Sequence, residues 1–145
     1  MAGFVQAGHM LRIATRGKGF TEITEDLRRW LGNIAAEDGL LTVFVCHTSA
    51  SLIIQENADP NVRRDLMTAL EGLAPEGGHY VHAEEGPDDM PSHIKSMLTE
   101  VSLSIPVQGG RMVLGTWQGV YLIEHRVAPH GRNVALSFIG RCAED

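Results

Sequence analysis

Residues 101–140 are "VSLSIPVQGGRMVLGTWQGVYLIEHRVAPHGRNVALSFIG". This segment holds four short runs rich in β-branched and aromatic residues: "VSLSIPV", "RMVLG", "GVYLIEHR" and "NVALSFIG". Turn signals separate them at Gly109 and Gly110, between Gly115 and Gly119, and from Pro129 to Gly131. Such punctuation predicts strands in succession. Upstream the pattern changes, with helical periodicities set between strand-like runs. Early helices followed by a run of strands predict an α+β domain, a single unit over residues 1–145 with a largely antiparallel or mixed sheet, two longer helices and one short one.

Working back from that segment, residues 4–15 alternate loosely and predict one or two strands before the glycine turn "RGKGF". A first helix follows in "TEITEDLRRWLGNIAAEDG", where Ile23, Leu27, Trp30, Leu31 and Ile34 recur at helical spacing. Thr21 is placed to cap it and Gly39 to end it. "LLTVFVCH", 40–47, has the composition of a buried strand, continued after a kink by "SLIIQ" at 51–55. Cys46 inside that run is expected to be a buried thiol. A second helix starts with Asp59 as cap and Pro60 at its first position, with Val62, Leu66, Ala69, Leu70 and Leu73 as its buried stripe. A short third helix is expected at about 91–99, capped by Asp89 or Met90.

The formal net charge of −6 argues against a nucleic-acid surface, which needs clustered Lys and Arg. No stretch approaches the roughly 20 apolar residues of a membrane span, and residues 1–17 lack the pattern of a secretory signal. Two widely spaced cysteines, Cys46 and Cys142, fit a reduced cytoplasmic setting.

Three of the seven histidines stand where a scaffold holds a side chain firmly yet within reach: His47 and His82 at the ends of extended runs, His93 on the first turn of a helix. Three imidazoles and a water form an open zinc site, although the spacing here matches no local metal motif. His9, His79, His125 and His130 read as structural or solvent-facing. The run "EEGPDDMPSHIK", 84–95, sets Glu84, Glu85, Asp88 and Asp89 among Gly86, Pro87 and Pro91. It is either a hydrated acidic loop or the wall of a cation site, since carboxylates held this close repel without a compensating charge. A hard cation such as Mg²⁺ would suit these oxygens. Imidazoles favour zinc instead, so the sequence leaves the divalent metal open between the two. Trp117 in "LGTWQG" has the composition of a core residue or of a stacking surface for a flat ligand.

Together, "HTSASLIIQENADPNVRRDL", "YVHAEEGPDDMPSHIK" and "GRMVLGTWQGVYLIEHR" resemble the YjbQ family, commonly labelled secondary thiamine-phosphate synthases. The three motifs occur in the family's order and span about the whole chain. The resemblance implies an α+β protomer assembled as a homotrimer, with a metal near His47, His82 and His93. It places Asn57, Glu85, Asp88, Asp89, Trp117 and Gln118 around the same pocket. The implied reaction condenses a pyrimidine-methyl diphosphate with a thiazole phosphate to give thiamine phosphate and pyrophosphate. In that reaction Glu85, Asp88, Asp89 and Asn57 would form the catalytic group. Trp117 and Gln118 would hold the ring, and Arg126 and Arg132 the phosphate oxygens. Two other readings stay open: a non-catalytic metal- or metabolite-binding trimer, and a metal-dependent hydrolase with Glu85 as base. Gln55 and Ser92 depart from the family pattern without touching a proposed ligand.

Overall fold

In the computed structural model, which describes residues 3–144, the C-terminal runs become β5 (Ser102–Gln108), β6 (Arg111–Met112), β7 (Gln118–Glu124) and β8 (Gly131–Cys142). The earlier chain supplies β1 (Phe4–Ala14), β2 (Gly19–Glu22), β3 (Ala36–Val45) and β4 (Ala50–Glu56). Three helices complete the order: α1 (Thr24–Asn33), α2 (Pro60–Leu73) and α3 (Asp89–Leu98). The strands form two sheets, β1-β8-β3-β5-β6 and β2-β7-β4, and every pairing is antiparallel.

The expected continuation of β3 into β4 does not occur. Residues 46–49 carry the chain from the larger sheet into the smaller one. Alternation explains the core and also the fate of Cys46. Along β3, Leu41, Val43 and Val45 point inward, so Phe44 and Cys46 point outward. Cys46 is therefore exposed, against expectation. The inward residues of the larger sheet meet Leu52, Val120 and Leu122 of the smaller one and Ile23, Leu27 and Leu31 beside α1. Burial of this apolar surface is the main force holding the layers together.

α1 is shorter than its periodicity suggests. It ends at Asn33, and Ala35 adopts a left-handed φ of 52°, so Ala36 already begins β3. Gly39 lies within that strand, opposite Gly140. A Cβ there would come 2.3 Å from the Ile139 carbonyl oxygen, so the glycine serves close strand approach instead of helix termination. Thr21 belongs to β2, and Thr24 takes over the polar duty at this end: its Oγ1 accepts from the Val120 N–H at 2.9 Å.

α2 starts as predicted, with the Asp59 carboxylate accepting from the Asn61 N–H at 2.9 Å and Pro60 in the first turn. Its stripe is less buried than the spacing implies. Only Leu70 is buried, and Leu73 is 68% exposed. A cavity of about 160 Å³ among Phe20, Ile53, Leu66, Leu70 and Ile123 lies between α2 and the outer face of the smaller sheet. Among the described residues no helix is long and apolar enough to cross a membrane.

The topology brings one set of chain ends together. The last residues of β7 pair with the first of β4, Glu124 opposite Ala50. Val45 at the end of β3 pairs with Val134 near the start of β8, and the β4 side of this corner receives α3, whose Ser96 Oγ donates to the Ala50 carbonyl.

Candidate metal centre

α3 opens the site because Asp88 and Asp89 lie at its N-terminus, where the free backbone N–H groups favour negative charge. Asp89, His93 and the preceding loop residue His82 converge, with one ligand-type atom from each lying within 4.8 Å of the others. Asp89 and His93 are four residues apart on one helix and so share a face. Asp89 Oδ2 lies 2.7 Å from His82 Nε2 and 3.1 Å from His93 Nε2.

Hydrogen-bond chemistry constrains what this cluster holds. His93 Nδ1 lies 3.1 Å from the Thr48 carbonyl oxygen, which only accepts, so Nδ1 carries the hydrogen. In a neutral ring, Nε2 then presents a lone pair to a carboxylate oxygen. Two lone pairs at that distance require a positive species, either a proton on the ring or a cation between them. The backbone bond at Nδ1 is also the kind of contact that orients a metal-binding imidazole. Two imidazoles and a carboxylate are a donor set that divalent metals use.

Behind the cluster, Arg126 organises the acidic loop. Its Nε donates to Asp88 Oδ2 at 3.0 Å, Nη1 to Asp89 Oδ1 at 2.8 Å, and Nη2 to the Glu85 carbonyl at 2.9 Å. Burial alone would raise both aspartates. The Val127 N–H and Arg126 more than offset this at Asp88, as do His82, His93 and Arg126 at Asp89, so both carboxyls titrate below their usual range. Asp89 is therefore held as a carboxylate.

His47 falls outside the convergent group. Its Nε2 accepts the Asn133 N–H at 2.8 Å, and Arg132 Nη1 stands 3.4 Å from its Nδ1. Burial, and then the Arg132 charge, hold it below the usual imidazole range. Its Nε2 is occupied by backbone, and the third member of the convergent group is Asp89 and not His47. Both arginines are engaged by protein carboxylates. Arg132 Nε and Nη2 grip the fully buried Glu124 at 2.8 and 2.5 Å, and Nη2 also donates to Ser49 Oγ at 3.0 Å.

Asn57, Trp117 and Gln118 lie elsewhere. They occupy the opposite end of β4 and β7, where Glu56 pairs with Gln118 and the Asn57 N–H donates to the Trp117 carbonyl at 2.9 Å. At about 3.3 Å per residue, they lie about 20 Å along β7 from its Glu124 end. Trp117 is 62% exposed, and Gln118 Oε1 accepts from the Gly115 N–H to close the preceding turn. Glu85 does belong to the cluster's rim, its carboxylate 4.0 Å from His82 Nε2.

His125, expected to be structural or solvent-facing, is 1% exposed and sits in a buried polar chain. Thr99 Oγ1 donates to Ser51 Oγ at 2.5 Å, and Ser51 Oγ lies 2.8 Å from His125 Nε2. Its Nδ1 is buried without a hydrogen-bond partner among the described residues. Burial, then the Lys95 charge, push its pKa down to about 4. The one signal of this in the sequence is its place directly after the apolar run of β7.

Fold and site together define an antiparallel two-sheet α+β protein with a two-histidine, one-carboxylate cluster at a strand-end corner. Residues 9–141 match the family described as UPF0047 protein YjbQ-like, and the chain belongs to that family. It is 50% identical over 140 residues to a UPF0047 protein of Synechocystis, a match spanning 96% of this chain and 95% of the relative. Among solved structures, a conserved hypothetical protein of Thermus thermophilus is 36% identical. It superposes with a TM-score of 0.78 over 88% of this chain and 97% of its own. A YbjQ-like protein of unknown function from Sulfolobus solfataricus reaches a TM-score of 0.88 at 17% identity, covering 96% of this chain and all of its own; that likeness concerns the fold alone.

Proposed function

We propose that the protein is a metal-assisted enzyme acting on phosphorylated small molecules. The named reaction is joining a pyrimidine-methyl diphosphate to a thiazole phosphate, with release of pyrophosphate. The observation that carries the reading is the convergence of His82, Asp89 and His93, with His93 Nε2 3.1 Å from an Asp89 carboxylate oxygen while its Nδ1 is bonded to the Thr48 carbonyl. These three side chains would hold a divalent cation; two imidazoles favour zinc or a neighbouring transition metal over magnesium. Such a cation supplies positive charge to the oxygens of a departing diphosphate. The chain's own part is positional. Arg126 fixes the loop and both aspartates, and the Thr48 carbonyl sets the His93 ring. Glu85 stands at the rim, exposed and able to accept a proton. That last placement equally favours a second reading, a metal-dependent hydrolase with Glu85 as base.

Metal analysis of purified variants tests the core of the proposal. His82→Ala and His93→Ala should weaken metal binding by at least about 100-fold, more than a lost outer-sphere contact would. His47→Ala should retain the metal. Retention in all three variants would refute the cluster, and loss in all three would restore the three-histidine site. Metal binding without turnover of any phosphorylated substrate would leave the protein a binding module.

We also propose the homotrimer, and a cytoplasmic setting for it. The outer face of the larger sheet supports association: Met10, Leu40, Phe44 and Ile139 are all exposed there, and adjacent pairs such as Leu40 with Ile139 make the apolar area continuous. Light scattering at micromolar concentration should return about three times the 15.8 kDa chain mass; a monomer would refute the assembly.

A further inference from the structure

We propose that the cavity walled by Tyr80, Pro87 and Met90 receives the ring of a phosphorylated ligand whose anionic end lies at the His82–Asp89–His93 cluster. This rests on the metal-centre reading above and adds the part of the ligand that the cluster itself leaves unrecognised. The cavity, about 320 Å³, is bounded by Gly77, Gly78, Tyr80, His82, Pro87 and Met90. His82 belongs both to its wall and to the cation cluster, so a ligand held at the cluster has this space directly beside it.

The walls suit a small flat group. Tyr80 is fixed at two points: its hydroxyl donates to the Pro75 carbonyl at 3.0 Å and its N–H to the Gly78 carbonyl at 3.0 Å. Gly78 backs onto the ring, since a Cβ there would come 2.7 Å from Tyr80 Cζ. Gly77 and Gly86 have left-handed φ values of 81° and 107°, so the loop turns through conformations that keep side chains out of the space. The other side is held by Arg126, through the Glu85 carbonyl and Asp88. A rigid aromatic, a proline and a methionine offer stacking and dispersion without charge. The volume lies at the low end for ligand pockets and is ample for one ring. Trp117, the aromatic suggested by the sequence, is on the far end of β7 and does not reach this place within the protomer.

The test compares two ligands on two states of the full chain. In the zinc-loaded protein, titration calorimetry with a pyrimidine-methyl diphosphate and with inorganic pyrophosphate separates ring from anion. Tyr80→Ala should weaken the pyrimidine ester about tenfold, the loss of one good aromatic contact. Pyrophosphate affinity and zinc content should stay unchanged, and Tyr80→Phe should keep the ester within about threefold. In metal-free protein, the uncharged pyrimidine methanol should perturb the NMR resonances of Tyr80 and the Met90 methyl group. Equal loss of ester and pyrophosphate in Tyr80→Ala, or no loss of either, overturns the proposal. So does the absence of any perturbation by the uncharged ring. Perturbation in a protein that binds no zinc would uphold the ring pocket while refuting the metal centre.

Discussion

At the scale of single residues, the site is governed by who satisfies whom. Glu124 is wholly buried and tied to Arg132, with Thr15 Oγ1 donating to it at 2.7 Å. Removing one partner of such a pair leaves an uncompensated charge, whereas removing both need not. Arg132→Met should therefore cost about 3–5 kcal/mol in denaturant unfolding. Arg132→Met combined with Glu124→Leu should recover most of that loss. A double variant as unstable as the single one would show that the arginine acts through its other contacts to Ser49 and His47. His82, His93 and the paired aspartates are legible in the sequence because acids, prolines and histidines crowd into one short stretch. Nothing in that stretch chooses Asp89 over His47. The choice depends on which lone pair the Asn133 N–H occupies, a contact between residues 86 positions apart.

Among the elements, local signals are legible wherever local chemistry decides. Asp59 and Pro60 mark the start of α2 because a cap and a missing N–H act within one turn. The end of α1 is not legible, because Ala35, with no helix-ending signature, takes the left-handed turn that glycine usually supplies. Gly39 resembles that terminator and instead faces Gly140 across the β3–β8 ladder, with the Phe138 ring lying against both. Gly39→Ala should consequently lower stability by about 1–3 kcal/mol, the usual cost of forcing atoms into a filled space. An unchanged denaturation midpoint would mean that the two strands can separate slightly without loss. The same alternation that identifies inward residues says nothing about which sheet a strand joins. Hence β3 and β4 read as one interrupted strand. The family resemblance placed Asn57, Trp117 and Gln118 around the histidines, and within the chain they lie at the other end of β4 and β7. Motif order along the chain does not carry distance in space.

Across the whole molecule, acid should act in two stages. His125 is held near 4 when folded against 6.5 when free, so the unfolded chain binds the extra proton first as pH falls. Stability is therefore complete above about pH 6.5 and declines toward pH 4, by up to about 3 kcal/mol from this group alone. The lowered carboxyls Asp88, Asp89 and Glu124 have the opposite charge type, and their contribution is kept above their unfolded range and lost below it. Urea unfolding at pH 7.5, 6.0 and 5.0 measures the first stage, and His125→Gln should flatten it. A slope that survives the substitution would assign the effect to another histidine. The sheet order has a consequence for the timing of synthesis. β8 lies between β1 and β3 in the larger sheet, although it follows both in chain order and is the last strand among the described residues. A growing chain therefore holds β1 and β3 without the strand that joins them until residues 131–142 leave the ribosome. The corner beside the His82–Asp89–His93 cluster, where Arg132 of β8 grips Glu124 of β7, cannot form before that strand is made. The nascent chain must be kept from pairing those two waiting edges with anything else.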